Sequence, residues 1–300
     1  MDVVGIVGVG RMGLPICANM VRGGYTVTAA DVRPEARKAV LACGARWGGL
    51  AAGAAAGADV VITALPGTRE LLELMSGPGG LLAALRPGVT WIDMTSVSPA
   101  AGKALAREAA ARGIGMLEAP AGGGPAAAAA GTLQLFVGGD AALLERHNPL
   151  LGVIADPARI THVGGAGAGY TVKLLVNLLW FSQAVTAAEA LILARREGID
   201  LDVLQDAVLG SAAASSFMDD GVSAVLSGDY LTTFGLDRCC EELAAVTATA
   251  REAGTPSRMS GSVEQIYRQA LARYGAANGE LLPIAMMEEQ AGVRLRRNPA

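Results

Sequence analysis

Short apolar runs alternate with helix-period segments through the first half of the chain, and then the runs stop. Val3-Val4-Gly5-Ile6-Val7 has no polar interruption, as expected of a strand buried on both faces of a sheet. Tyr25 to Ala30, Asp59 to Leu65, Trp91 to Met94, Ile114 to Pro120, Leu133 to Val137 and Ile160 to Val163 repeat the pattern, with helical or turn-forming segments between them. Strands that alternate with helices predict a doubly wound parallel sheet over residues 1–163. Tyr170 to Arg196 then runs without proline or glycine, enough for a helix of about 40 Å. After Gly198 only helical patterns remain: Asp200 to Leu209, Ser216 to Leu226, Leu236 to Ala253, Ser262 to Tyr274 and Ile284 to Gly292. The expectation is an α/β domain over 1–163 and an all-helical domain over 164–300, joined by the long helix.

The first strand runs into Gly8-Val9-Gly10-Arg11-Met12-Gly13, a G-x-G-x-x-G that opens a helix, and the second strand ends at Asp31. In that setting Gly8 permits a tight turn, Gly10 lets backbone approach a pyrophosphate, and Gly13 lets helix and strand pack closely. Arg11 and Met12 lie in the same turn, where free N–H groups and the helix dipole favour phosphate. The pattern predicts a Rossmann-type site for a nicotinamide dinucleotide. An acid at Asp31 can accept hydrogen bonds from both ribose hydroxyls and repels a 2′-phosphate, which favours NAD over NADP. Arg33 and Arg37 leave NADP open, since a guanidinium can meet a 2′-phosphate. Leu65-Pro66 closes a strand at the carboxyl end, where open α/β sheets bind ligands, and is assigned to the cofactor as well.

Composition removes several classes of function. Aromatic residues make up 4% and the net charge is -4, so there is neither a stacking platform nor a basic face for nucleic acid. Four cysteines include no C-x-x-C, and two histidines supply no metal spacing, so no metal site is expected. A strand at residue 3 leaves no room for a signal peptide, and Asn177, Gln183 and Glu189 interrupt the most apolar stretch. A cytoplasmic protein with no membrane partner is the expectation.

A dinucleotide supplies hydride, so the protein must supply a group that moves a proton. His147 sits in a polar run and His162 within a strand, and neither suits the role. Lys173 lies in an otherwise apolar segment at a helix start, where burial and the dipole both favour the neutral amine. Asn177, four residues on, shares its helix face. The residues alone leave a solvent-reaching lysine equally open.

Over nearly its whole length the chain resembles the β-hydroxyacid dehydrogenase family. Gly8 to Gly13 with Asn19 is similar to G-x-G-x-M-G-x-x-x-A-x-N, and Asp93-Met94-Thr95-Ser96-Val97-Ser98-Pro99 to D-x-S-T-x-x-P. Glu118-Ala119-Pro120-Ala121-Gly122-Gly123-Gly124 resembles D-A-P-V-S-G-G, and Gly131-Thr132-Leu133 with Val137-Gly138-Gly139 resembles G-T-L…V-G-G. Gly167-Ala168-Gly169 with Lys173 and Asn177 matches G-x-G-x-x-x-K-x-x-x-N. The resemblance implies that Lys173 exchanges a proton with the substrate oxygen while hydride moves between substrate and nicotinamide, and that Asn177 orients the substrate. Ser96 would lie beside cofactor and reacting centre, and the Gly122, Gly123 and Gly124 backbone would bind a substrate carboxylate.

The chain departs from that pattern in three places. Thr95-Ser96 inverts a serine–threonine pair, Gly122 replaces a serine, and Glu241-Glu242-Leu243 aligns with the family's K-D-L. Room at Gly122 and an anion at Glu241 in place of a cation suggest a substrate that is bulkier, or that carries an amine or extra hydroxyls for Glu241 to bind. The leading expectation is hydride transfer between NAD(P) and a small 3-hydroxy acid or its semialdehyde. A reductase of a larger carbonyl or imine compound is the alternative, and a dinucleotide-binding protein without turnover is the alternative from another class. The apolar helical half predicts a homodimer or homotetramer.

Overall fold

The computed structural model describes residues 2–77 and 79–297. Two compact units emerge, Met1–Lys173 and Leu174–Ala300. The first contains β1 (Val3–Val7), α1 (Gly13–Arg22), β2 (Thr26–Ala30), α2 (Ala36–Ala42), β3 (Arg46–Gly49), α3 (Ala51–Ala55), β4 (Val60–Thr63), α4 (Thr68–Met75) and α5 (Leu81–Ala84). It continues with β5 (Thr90–Asp93), α6 (Pro99–Ala111), β6 (Gly115–Glu118), β7 (Ala121–Gly122), α7 (Gly124–Ala130), β8 (Leu133–Gly139), α8 (Ala141–Leu151), β9 (Ala155–Gly164) and the start of α9 (Ala168–Arg196). The strands form one sheet in the order β3-β2-β1-β4-β5-β6-β8-β7, with β9 beside β8.

The apolar runs explain the centre of this sheet. Every residue of β4 and β5 is buried, as strands covered on both faces require. One apolar layer gathers Ile6, Ile16, Met20, Leu135 and Leu151, and the other gathers Val61, Leu71, Trp91, Leu105 and Tyr170. The six strands from β3 to β6 are parallel, as the alternation of strands and helices requires. The sheet is not parallel throughout, however. β8 runs antiparallel to β6 and β7, because Gly122 to Gly131 turns the chain back without a full crossover.

Among its described residues the second unit carries helices and no strand beyond an isolated bridge between Gly235 and Asn278. It comprises the rest of α9, α10 (Leu201–Leu209), a π-turn at Phe217–Gly221, α11 (Val222–Ser227), α12 (Leu236–Glu252), α13 (Arg258–Tyr274) and α14 (Leu282–Ala291). Asp200 caps α10 by accepting hydrogen bonds from the Asp202 and Val203 N–H groups. Among the described residues α9 is the one helix long and apolar enough to cross a membrane. It buries Phe181, Ala184, Val185, Ala188 and Leu191 at helical spacing, and leaves Leu175, Val176, Leu179 and Leu193 exposed.

Candidate active site

The glycine loop takes the conformation its sequence requires. Gly8 sits at φ 90°, and a Cβ there would run into the Ala64 carbonyl. A Cβ on Gly13 would meet the Gly8 carbonyl, so this glycine sets the approach of α1 to β1. Gly10 differs: the nearest group to a Cβ there is the Arg33 guanidinium at 3.9 Å. Gly8 and Gly13 are thus enforced by packing, while Gly10 keeps open the space a pyrophosphate needs, and these residues fit a bound dinucleotide. Arg11 is exposed beside them and Met12 half-buried. Asn19 donates to the Ala128 carbonyl at 2.7 Å, tying α1 to α7.

Asp31 is already engaged. Its carboxylate accepts from the Val9 N–H at 2.9 Å and forms a fork with the Arg33 guanidinium at 2.9 and 3.0 Å. Burial pushes the Asp31 carboxyl up, but the bonds from Arg33 and Val9 outweigh it and hold the group below its ordinary range. Of the two arginines noted in the sequence, Arg33 therefore meets Asp31, while Arg37 is exposed on α2.

A buried polar network lies at the carboxyl ends of the central strands. Asp93, at 0% exposure, accepts from the hydroxyls of Thr63 at 2.5 Å, Thr95 at 2.7 Å and Tyr170 at 2.7 Å. Thr63 in turn accepts from the Trp91 indole, and Thr95 from the Leu65 N–H at 3.1 Å. Leu65 is thereby fixed from below, and Pro66 beside it is exposed. Burial pushes Asp93 up to about 6, partly offset by the donors around it. Ser96 follows directly and is half-buried.

The next strand ends in a second buried acid. Glu118 lies opposite Asp93 in the β5–β6 register and accepts from the N–H groups of Gly167 and Gly169, the latter at 3.0 Å. After it, Gly122 pairs with Gln134, and Gly123 and Gly124 stand at φ 105° and 65°. A Cβ on Gly122 would meet only ordinary contacts of 3.6–3.8 Å, so nothing around this position requires glycine. Lys173 is half-buried one turn into α9. Neither histidine joins this group. His147 is buried in α8 against the Thr90 hydroxyl, and His162, on the outermost strand β9, is exposed with its ring on the Gly139 carbonyl.

In the helical unit, Asn177 donates through Nδ2 to Glu242 at 2.5 Å. Glu241 does not share that place. Its carboxylate is exposed and pairs with Arg238 at 2.8 Å. The helix period accounts for this: Glu242 lies on the buried stripe of α12 with Cys239, Leu243 and Val246, and the preceding residue points about 100° away. Reading by motif position singled out Glu241 and passed over Glu242. It also gave no role to Asp93, Glu118 or Tyr170, although an acid closing an apolar strand was a visible signal at both acids.

The comparisons with known proteins give the family. Residues 3–164 match the family described as the NAD binding domain of 6-phosphogluconate dehydrogenase. Residues 167–286 match the NAD-binding family of NADP-dependent 3-hydroxyisobutyrate dehydrogenase. The chain belongs to the β-hydroxyacid dehydrogenase family. It is 33% identical to the 2-(hydroxymethyl)glutarate dehydrogenase of Eubacterium barkeri, over 97% of this chain and 96% of that one. It is 32% identical to the L-threonate dehydrogenase of Cupriavidus necator, over 89% and 90%. A solved Mycobacterium tuberculosis 3-hydroxyisobutyrate dehydrogenase with L-serine superposes at TM-score 0.85 and 28% identity, covering 96% of this chain and 99% of that one. The chain is accordingly an NAD(P)-dependent oxidoreductase of this family.

Proposed function

We propose that the chain moves a hydride between NAD and a small 3-hydroxy acid or its semialdehyde, with Lys173 as the general acid/base. The observation that carries this reading is the spacing of Lys173 and Asn177 one turn apart on α9, at the motif positions of a family whose relative matches over 97% of this chain. Bound nicotinamide supplies or accepts the hydride. The protein's part is to hold the substrate and carry the proton. The Lys173 amine takes the hydroxyl proton in oxidation and returns it in reduction. Asn177 donates through Nδ2 to Glu242, which turns its side-chain carbonyl toward other partners and lets it accept from a substrate hydroxyl.

The Gly122–Gly124 backbone is proposed to receive the substrate carboxylate. The left-handed turn at Gly123 and Gly124 supports this, because it aligns N–H donors that need no counter-charge. Gly8, Gly10, Arg11, Met12 and Gly13 would cradle the pyrophosphate, Asp31 the ribose, and Leu65, Pro66 and Ser96 the rest of the cofactor. In this reading the 1–163 part holds the cofactor, and the 164–300 part serves substrate binding and dimerisation in a cytoplasmic homodimer or homotetramer. The outward Leu179, Leu193 and Val203, each 61–63% exposed, support such an assembly.

The test is initial rate with NADH and NADPH against short aldehydo and keto acids, and with the oxidised cofactors against 3-hydroxyisobutyrate, L-threonate, L-serine and 2-(hydroxymethyl)glutarate. Lys173→Ala is assayed beside the parent. Turnover that falls about 100- to 10,000-fold in the variant, with cofactor still bound, is the expected result. Equal rates in both proteins would overturn the assignment of Lys173.

A further inference from the structure

Two buried acids are left over once cofactor and substrate have been given their residues. Asp93 and Glu118 close adjacent strands, side by side in register, with exposures of 0% and 1%. Such a pair is a poor way to hold a core. Burial raises both carboxyls, and the charge of Asp93 pushes Glu118 further in the same direction. Apolar residues of similar size would pack the same space without that penalty.

Both acids reach the start of one helix, Asp93 also holding the Thr63 and Thr95 hydroxyls. Glu118 receives the N–H groups of Gly167 and Gly169, one on each carboxylate oxygen, and so satisfies donors that the first turn of α9 would otherwise leave open. Asp93 receives the Tyr170 hydroxyl. The Tyr170 ring is fully buried and lies so close to Gly102 on α6 that a side chain there would strike it. Gly169 lies against β8, where a Cβ would stand 2.6 Å from the Phe136 carbonyl oxygen and 3.0 Å from the Gly138 nitrogen. Height and rotation of the first helical turn are thus both fixed, from Gly167 to Tyr170.

We propose that Glu118 and the Asp93–Tyr170 pair are positioning residues, which set the direction in which Lys173 leaves α9. The inference rests on the reading of Lys173 as the proton carrier. Tyr170 and Lys173 are three residues apart and share a face of the helix, so the rotation that seats one aims the other. A lysine amine stands roughly 8 Å from its helix axis, and a rotation of about 10° would carry it more than 1 Å. A misplacement of that size costs on the order of 100-fold in rate. The second glycine of G-x-G-x-x-x-K is explained by the same close approach to β8, and the first, Gly167, by its φ of 90° and the Lys103 side chain against it.

The experiment uses the full chain with Glu118→Gln, Glu118→Asp, Tyr170→Phe and Lys173→Ala, measuring kcat, KM and NADH affinity by fluorescence. Glu118→Gln puts an amide N–H against a backbone N–H, and Tyr170→Phe removes one hydroxyl. Each is expected to lower kcat about 10- to 100-fold while NADH affinity stays within about twofold. Glu118→Asp keeps both acceptors and should recover part of the loss. Added to Lys173→Ala, either change should cost nothing further. Folded Glu118→Gln and Tyr170→Phe proteins with parental kcat would overturn the proposal, and so would full additivity with Lys173→Ala. Tyr170→Phe decides the matter if Glu118→Gln does not fold. Parental activity in Lys173→Ala itself would instead refute the proton role, separately from the positioning.

Discussion

Replacing Gly169 by alanine is the sharpest test of how α9 meets the sheet. The added methyl would stand 2.6 Å from the Phe136 carbonyl oxygen, 3.0 Å from the Gly138 nitrogen and 3.1 Å from the Glu118 Cβ. The first two are backbone atoms of β8, which is paired with β6, β7 and β9 and cannot move alone. Forcing a methyl into such a contact costs about 1–3 kcal/mol. Alanine's better helix propensity recovers at most about 1 kcal/mol, less in a first turn. The net loss should be about 1–2 kcal/mol, or a fall in Tm of about 2–8 °C. Gly261 in α13 is the matched control, a helical glycine with nothing within 4 Å of a Cβ. There the same substitution should gain about 0.5–1 kcal/mol and raise Tm slightly. Thermal unfolding followed by circular dichroism reads both. A Gly169→Ala protein that melts at or above the parent would refute the close approach of α9 to β8.

Other outcomes follow from the same contacts. Burial raises Asp93 from an ordinary 3.8 to about 6, so between those values the folded protein holds a proton that the unfolded chain has released. Its contribution to stability must fall as pH rises through that window, by about 3 kcal/mol in all. The stability of the parent relative to Asp93→Asn, measured by urea unfolding from pH 4 to 7, should fall by that order, and a flat difference would contradict the burial. The exposed apolar side of α9 and α10 should be covered by a second copy, so sedimentation should give a dimer or larger; a monomer at micromolar concentration would remove that reading. Lys173→Ala should lose turnover but keep its cofactor.

Much of this protein was legible in the chain itself. The uninterrupted apolar runs at Val3–Val7 and Val60–Thr63 are short, rich in β-branched residues and set between helix-period segments, so they read as strands of a covered parallel sheet. Gly8 and Gly13 were legible because their reason is local: a turn at φ 90° and a helix packed against its own strand. The long helix and the change to helices after Gly198 were plain from period and breakers. Tertiary structure decided what depended on distant pairing. The reversal of β8 turns on which strands it meets after α7, which no local period encodes. The exchange of Glu241 for Glu242 beside Asn177 depends on which stripe of α12 is covered. The use of Asp31 by the Val9 N–H, 22 residues away, and of Asp93 and Glu118 by the first turn of α9, up to 77 residues away, rests on such pairing. A sequence shows that an acid ends a strand; only the fold shows which donor is brought within 3 Å of it, because hydrogen bonds are set by position in space and not by spacing along the chain.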